Sequence, residues 1–190
     1  MLFNSVQFLI FLPIVAILYY LIPRRARCVW LLVASYYFYM CWNPKYAILI
    51  ALSTVITYVS GIGIETLWKK HPDNSIYAKS VVAASFAANL GILVFFKYFN
   101  WLLAIAGTAL HISIESPFSF VLPVGISFSP FQALGYTVDI YRGRGKVKAE
   151  RNLVLYALFV SFFPQLVAGP IERSGNLLTQ IEQVKDKKMD

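Results

Sequence analysis

Negative charge is scarce here: nine Asp and Glu stand against 17 Lys and Arg in 190 residues, a formal charge of +8. Charged residues of both signs make up only 14%, well short of the quarter that a water-soluble domain carries. That shortage excludes an ordinary solvated surface. Cysteine is nearly absent too, with Cys28 and Cys41 alone, which excludes a disulfide scaffold. These two open and close one predicted helix, about 20 Å apart and beyond bridging distance. They read as core thiols. Neither they nor the two histidines, His71 and His111, have metal-ligand spacing. No GxSxG elbow, Walker loop or HExxH pair occurs. No basic segment precedes the first apolar run, so a cleavable signal peptide is excluded; Arg24, Arg25 and Arg27 follow that run instead, predicting a reversed anchor that starts outside. No repeat or low-complexity tract is evident.

What is present is apolar. Hydrophobic residues reach 58%, aromatics 16%, and the mean hydropathy is +0.63. The basic residues fall in short clusters between apolar runs, as topology signals do, and no nucleic-acid motif accompanies them, so nucleic acid is not an expected partner. The expected partner is a lipid bilayer. The chain has room for about five or six spans of roughly 20 residues in one membrane unit, residues 1–190. The fold class predicted is all-α: a polytopic transmembrane helical protein with broken or re-entrant segments.

The runs place span one at Val6–Ile22, span two at Cys28–Trp42, span three at Tyr46–Ile64 and span four at Ser80–Phe96. Span two is short and calls for tilt or cover. Lys97 and Asn100 interrupt, and Trp101–Leu110 reads as a further short helix. Charge bias puts Pro23–Arg27, Glu65–Lys79 and Arg142–Arg151 in the cytoplasm, which requires an odd number of crossings between Trp101 and Tyr141: one crossing plus a re-entrant piece near Pro123–Pro130. In the polar tail, Leu177, Leu178, Ile181 and Val184 share one helical face that lies on membrane or protein.

Two apolar stretches are punctured by helix breakers: Pro123, Gly125 and Pro130 in the first, Pro164, Gly169 and Pro170 in the second. Breaks free backbone N–H and C=O groups that lipid cannot satisfy, so such segments persist where protein or a watery cavity covers them. Gln132, Tyr136 and Asp139, at i, i+4 and i+7, share a face and are candidates for lining a tunnel or substrate site; the alternative pairs Asp139 with Arg142 at a span end. Gln165, Glu172 and Arg173 are further lining candidates. Glu172 is a conceivable base if buried, although an acidic residue just after Gly169-Pro170 also reads as a fixed charge at a helix start. The cluster Arg142, Arg144, Lys146, Lys148 and Arg151 suits an anionic donor, or simply orientation and contact with anionic lipid. His71 reads as solvated and His111 as a weak candidate base.

Several of these stretches resemble a known family. LPVGISF at Leu122–Phe128, FQALGYTVDIYRG at Phe131–Gly143 and LFVSFFPQLVAGPIER at Leu158–Arg173, with FNSVQFLIFLPIV at Phe3–Val15, resemble the membrane-bound O-acyltransferases, most closely the alginate O-acetyltransferase branch. The resemblance implies an inner-membrane, multi-pass enzyme of exopolysaccharide O-acetylation. No cofactor is bound in that reading; the acyl donor is acetyl-CoA or another acyl thioester. Its partners are extracytoplasmic acetyl-transfer proteins and a polysaccharide acceptor. The family's histidine base lies in an apolar helix downstream of the GPIER-like region, and neither His71 nor His111 matches its setting. No catalytic residue and no metal site is therefore assigned, and the isolated chain is expected to be inactive, supplying the N-terminal, tunnel-forming part. Two other classes stay open: a non-catalytic membrane scaffold or partner subunit, and a transporter, against which stands the lack of a second copy of either broken segment.

Overall fold

The computed structural model describes residues 5–41, 44–72, 75–110, 128–168, 175 and 177–181. Among the described residues the main helices are α1 Val6–Leu21, α2 Arg24–Met40, α3 Pro44–Lys70, α4 Ser75–Leu110, α5 Phe128–Arg142, α6 Leu153–Ser161 and α7 Phe163–Ala168. No strand occurs among the described residues.

Capping and charge explain the boundaries. The Ser5 side chain accepts the Phe8 N–H at 3.3 Å and starts α1. Pro23 separates α1 from α2, because it cannot continue a helix without losing a hydrogen bond. Arg24, Arg25 and Arg27 then fall inside α2 rather than in a loop. Arg27 is buried, donates to the Ile22 carbonyl at 3.3 Å and lies over the Tyr19 ring at 4.9 Å. α2 thereby starts four residues before the expected span two and ends at Met40, and at 17 residues it stays short for a bilayer crossing, as expected. Cys28 is buried near its start, whereas Cys41, expected in the core, is exposed at its end; neither forms a disulfide.

α4 corrects a sequence expectation. It runs unbroken for 36 residues, so Lys97 and Asn100 do not interrupt and Trp101–Leu110 is not a separate helix. The physical reason is propensity: Lys and Asn cost a helix well under 1 kcal/mol, whereas the residue that would stop it is proline, and none occurs between 75 and 110. At 1.5 Å per residue α4 is about 54 Å long, more than the ~30 Å hydrocarbon core.

Among the described residues, two stretches are long and apolar enough to cross a membrane, Ala47–Lys70 and Ser75–Phe96. α1 is apolar on all sides yet buries only Phe8 and Val15, leaving Val6, Leu9 and Leu21 at least two-thirds exposed. Water would not tolerate that face, and lipid would. α6 shows the opposite case. It is equally apolar, and Tyr156, Leu158, Phe159 and Val160 are sealed completely or nearly so.

α5 and α6 occupy the centre, packed among α2, α3 and α4. Ile64, Ala133, Tyr136, Ile140, Tyr156 and Phe159 form the main core. A second core joins α1, α2 and α7 through Phe8, Phe38 and Phe163, with Phe11 and Phe163 rings meeting edge to face at 5.5 Å. α3 and α5 meet at Gly61, where a Cβ would stand 2.7 Å from Tyr136 Cε1; the missing side chain makes that approach possible. Leu177 and Ile181 join the main core and Leu178 packs on it, so the tail's apolar face lies on protein. Val184 lies outside the described residues.

Candidate functional site

The α6–α7 break is where the sequence is most awkward for a bilayer. α6 stops at Ser161, Phe162 is extended with ψ 106, and α7 restarts at Phe163 with Pro164 in its first turn, a position where proline is tolerated. A stopped helix leaves its last carbonyls, and a starting helix its first N–H groups, without partners. Both ends are met by other helices. Gln132 of α5 donates from Nε2 to the Phe159 carbonyl at 3.0 Å, and the Phe163 N–H donates to Ser35 Oγ of α2 at 3.4 Å. Phe159, Ser161 and Phe163 are all buried. Protein covers this break.

Gln132 also bridges the two punctured stretches, donating from Nε2 to Gln165 Oε1 at 3.3 Å. Pro130, a breaker of the first stretch, sits buried in the first turn of α5. Two buried polar atoms remain here without a partner among the described residues, Gln132 Oε1 and Ser129 Oγ. Each unmet group costs about 1–3 kcal/mol, so these two atoms call for partners outside the described residues.

The Gln132, Tyr136, Asp139 stripe is real as a face, but its members do different work. Tyr136 is packed between α3 and α5, its ring 4.6 Å from that of Tyr156, and its hydroxyl accepts the Glu150 N–H at 2.9 Å. It acts as a wedge between α3 and α6. Asp139 is half-buried. Of the other sequence candidates, Glu172, Arg173 and His111, together with Pro123, Gly125, Gly169 and Pro170, lie outside the described residues. His71 is exposed after α3, its ring beside Tyr77 at 5.4 Å.

A buried carboxylate that sequence reasoning passed over organises the opposite end of α5. Glu65 is 2% exposed; its Oε1 takes Lys69 at 2.6 Å, and its Oε2 takes Arg151 at 2.7 Å and the Ala149 N–H at 3.1 Å. Tyr58 adds a bond from its hydroxyl to the Arg151 carbonyl at 2.6 Å. The basic loop is thus stitched to α3, and Arg151 is committed to Glu65, while Arg142, Arg144, Lys146 and Lys148 stay exposed. The available signal was the Glu65–Lys69 spacing of four, which favours pairing on a helix, in a chain with few acids.

A polar ladder also crosses the interior. Tyr156 donates to Thr57 Oγ1 at 2.7 Å, Thr57 to the Ser53 carbonyl at 2.8 Å, Ser53 Oγ to Asn89 Oδ1 at 2.5 Å, and Asn89 to the Ser85 carbonyl at 2.9 Å. It ties α6, α3 and α4 together by hydrogen bonds inside apolar surroundings, where each bond is retained because the alternative is an unmet group. Among the described residues no cluster of His, Cys, Asp or Glu could hold a metal ion.

Relatives bear out the resemblance. The chain is 37% identical over 184 residues to the "Probable alginate O-acetylase AlgI" of Azotobacter vinelandii, covering 95% of this chain and 36% of that protein. The protein of the same name from Pseudomonas aeruginosa is 35% identical, with 34% of it covered. The "Peptidoglycan O-acetyltransferase" of Helicobacter pylori is 31% identical over 218 residues, 98% of this chain and 39% of that protein. The chain is therefore similar along nearly its whole length to proteins named O-acetylases and O-acetyltransferases, and it spans about a third of the length of the relatives it matches. No family model and no solved structure matches it.

Proposed function

We propose that this chain frames the acyl-transfer passage of a multi-pass, inner-membrane O-acetyltransferase that acts on an exopolysaccharide such as alginate. Three observations support this reading: the relatives' names, the two membrane-length apolar helices, and the covered break with its unmet polar atoms. The last carries most weight. A helix interrupted at Pro164, met by Gln132 and Ser35, and flanked by an acceptor and a hydroxyl that have no partner among the described residues, fits a wall around a polar substrate group.

In this reading an acyl thioester such as acetyl-CoA delivers the acetyl group from the cytoplasmic end, and partner proteins pass it outward to the polymer. The acceptor oxygen attacks the thioester carbon, its proton goes to a general base, and the thiolate leaves. Gln132 holds the acceptor or the acyl carbonyl in place and is a positioning residue. The base comes from outside the described residues.

The test uses the reading frame that contains this chain, expressed in a strain lacking its own copy. Gln132→Leu is expected to lower polymer O-acetylation about tenfold, one hydrogen bond's worth, at equal amounts of folded protein. Full acetylation in Q132L would remove the site from the mechanism. Residues 1–190 alone, purified and given acetyl-CoA with an oligosaccharide acceptor, are expected to give no turnover. Robust turnover there would overturn the assignment of the base elsewhere.

A further inference from the structure

At the far end of α5 from the break, a cavity of about 360 Å³ is lined by Trp68, Pro72, Ser75, Tyr141, Arg142 and Arg144. That volume falls near the lower end of the roughly 300–1,000 Å³ typical of small-molecule sites. Its walls come from the end of α3, the start of α4 and the end of α5, so it sits where three helices meet. The Trp68 and Tyr141 rings pack 5.8 Å apart to form one side.

Among the described residues, the charge that lines this cavity is positive alone. No acidic side chain lines it among the described residues. Lys69 and Arg151 nearby are both paired with Glu65, whereas neither Arg142 nor Arg144 has an ion pair among the described residues. The backbone turns sharply to put Arg144 there. Arg144 has φ 46 and Gly145 φ 79, a conformation unusual for a side-chain-bearing residue. The turn is closed by the Lys146 N–H on the Gly143 carbonyl at 2.8 Å. Trp68 adds a buried indole N–H with no acceptor among the described residues.

We infer that this cavity binds a phosphate group. Two guanidiniums offer forked N–H donors that match phosphate oxygens in pairs, and the first turn of α4 presents the positive end of a long helix to the same space. Tyr141 supplies a further hydroxyl. The phosphate belongs either to a soluble phosphorylated ligand or to the headgroup of an anionic lipid, since the cavity lies at the ends of the apolar helices. The inference does not depend on acyl transfer.

The experiment titrates inorganic pyrophosphate into the full chain in phosphate-free maltoside micelles, by calorimetry and by tryptophan fluorescence. A parallel arm adds phosphatidylglycerol to the micelles. Saturable binding of pyrophosphate identifies a soluble source, and saturation by phosphatidylglycerol alone identifies the lipid. In either case R142A/R144A is expected to weaken binding at least about a hundredfold, about tenfold for each guanidinium removed. K146A/K148A, which removes the same charge from outside the cavity, is expected to change it no more than about threefold, and W68F to abolish the fluorescence response without abolishing the heat. Both double variants change exposed residues, and circular dichroism checks that each keeps its helix content. No saturable binding in either arm overturns the inference, as does equal weakening in the two double variants, which would show that only the loop's overall charge is being read.

Discussion

Replacing Glu65 by alanine should loosen the 143–151 loop more than replacing it by glutamine, and the structure sets the size of the difference. The carboxylate meets three donors, but they are not equal. Lys69 and Arg151 have side chains 60% and 57% exposed, and exposed pairs are worth about 0–1 kcal/mol each. The Ala149 N–H is buried and has Glu65 Oε2 as its acceptor; leaving it unmet costs about 1–3 kcal/mol. Truncation to alanine also vacates a nearly sealed site. The sum for Glu65→Ala is about 2–4 kcal/mol, most of it from one backbone donor. Glu65→Gln keeps an acceptor for that donor and loses about 1 kcal/mol of charge interaction. The assay is limited trypsin digestion at Arg144, Lys146 and Lys148, whose cleavage follows local opening. Cleavage in E65A is expected to rise at least about thirtyfold, and in E65Q no more than about fivefold. Equal acceleration in both variants would refute the argument that the buried N–H, rather than the ion pairs, holds the loop.

Gly61→Ala places a Cβ 2.7 Å from a ring atom of Tyr136, and that ring is held by Tyr156 and the Glu150 N–H. It should destabilise by about 1–3 kcal/mol, measured by thermal unfolding in detergent, and adding Tyr136→Ala should cost less than the two separate effects predict. Thr57→Val removes the acceptor of the buried Tyr156 hydroxyl and should lower stability by about 1–3 kcal/mol; a change below about 0.5 kcal/mol would show that the ladder is not under load. Gln132→Leu removes the donor to the buried Phe159 carbonyl and to Gln165 and should lower stability by about 1–3 kcal/mol, so its acetylation is compared at equal amounts of folded protein.

Much of this architecture could be read in advance where the chain is long, apolar and punctuated by proline. Helices α1 and α2, the turn at Pro23 and the interruption at Pro164 follow from patterns that lipid and backbone chemistry impose together. The length of α4 was not readable by the same logic: Lys97 and Asn100 look like a boundary on a hydropathy trace, yet nothing in their backbone chemistry stops a helix. Gln132 was recognisable as a polar residue in an apolar face, and its role as a cap for the Phe159 carbonyl was not, since residues 27 apart meet only through packing. Glu65 was hidden for another reason. It stands at the edge of a hydrophilic loop, where a carboxylate is normally solvated, and its burial arises from the return of Ala149 and Arg151 over α3.

The two unmet polar atoms at the break carry the functional account, and a high-resolution electron cryomicroscopy structure of the chain in lipid nanodiscs tests them most directly. The account predicts Gln132 and Ser35 bonded to the interrupted backbone at Phe159 and Phe163, with ordered water or a polar ligand at Gln132 Oε1 and Ser129 Oγ. Lipid acyl chains packed against those atoms, with the break at Phe162 open to the bilayer, would contradict it.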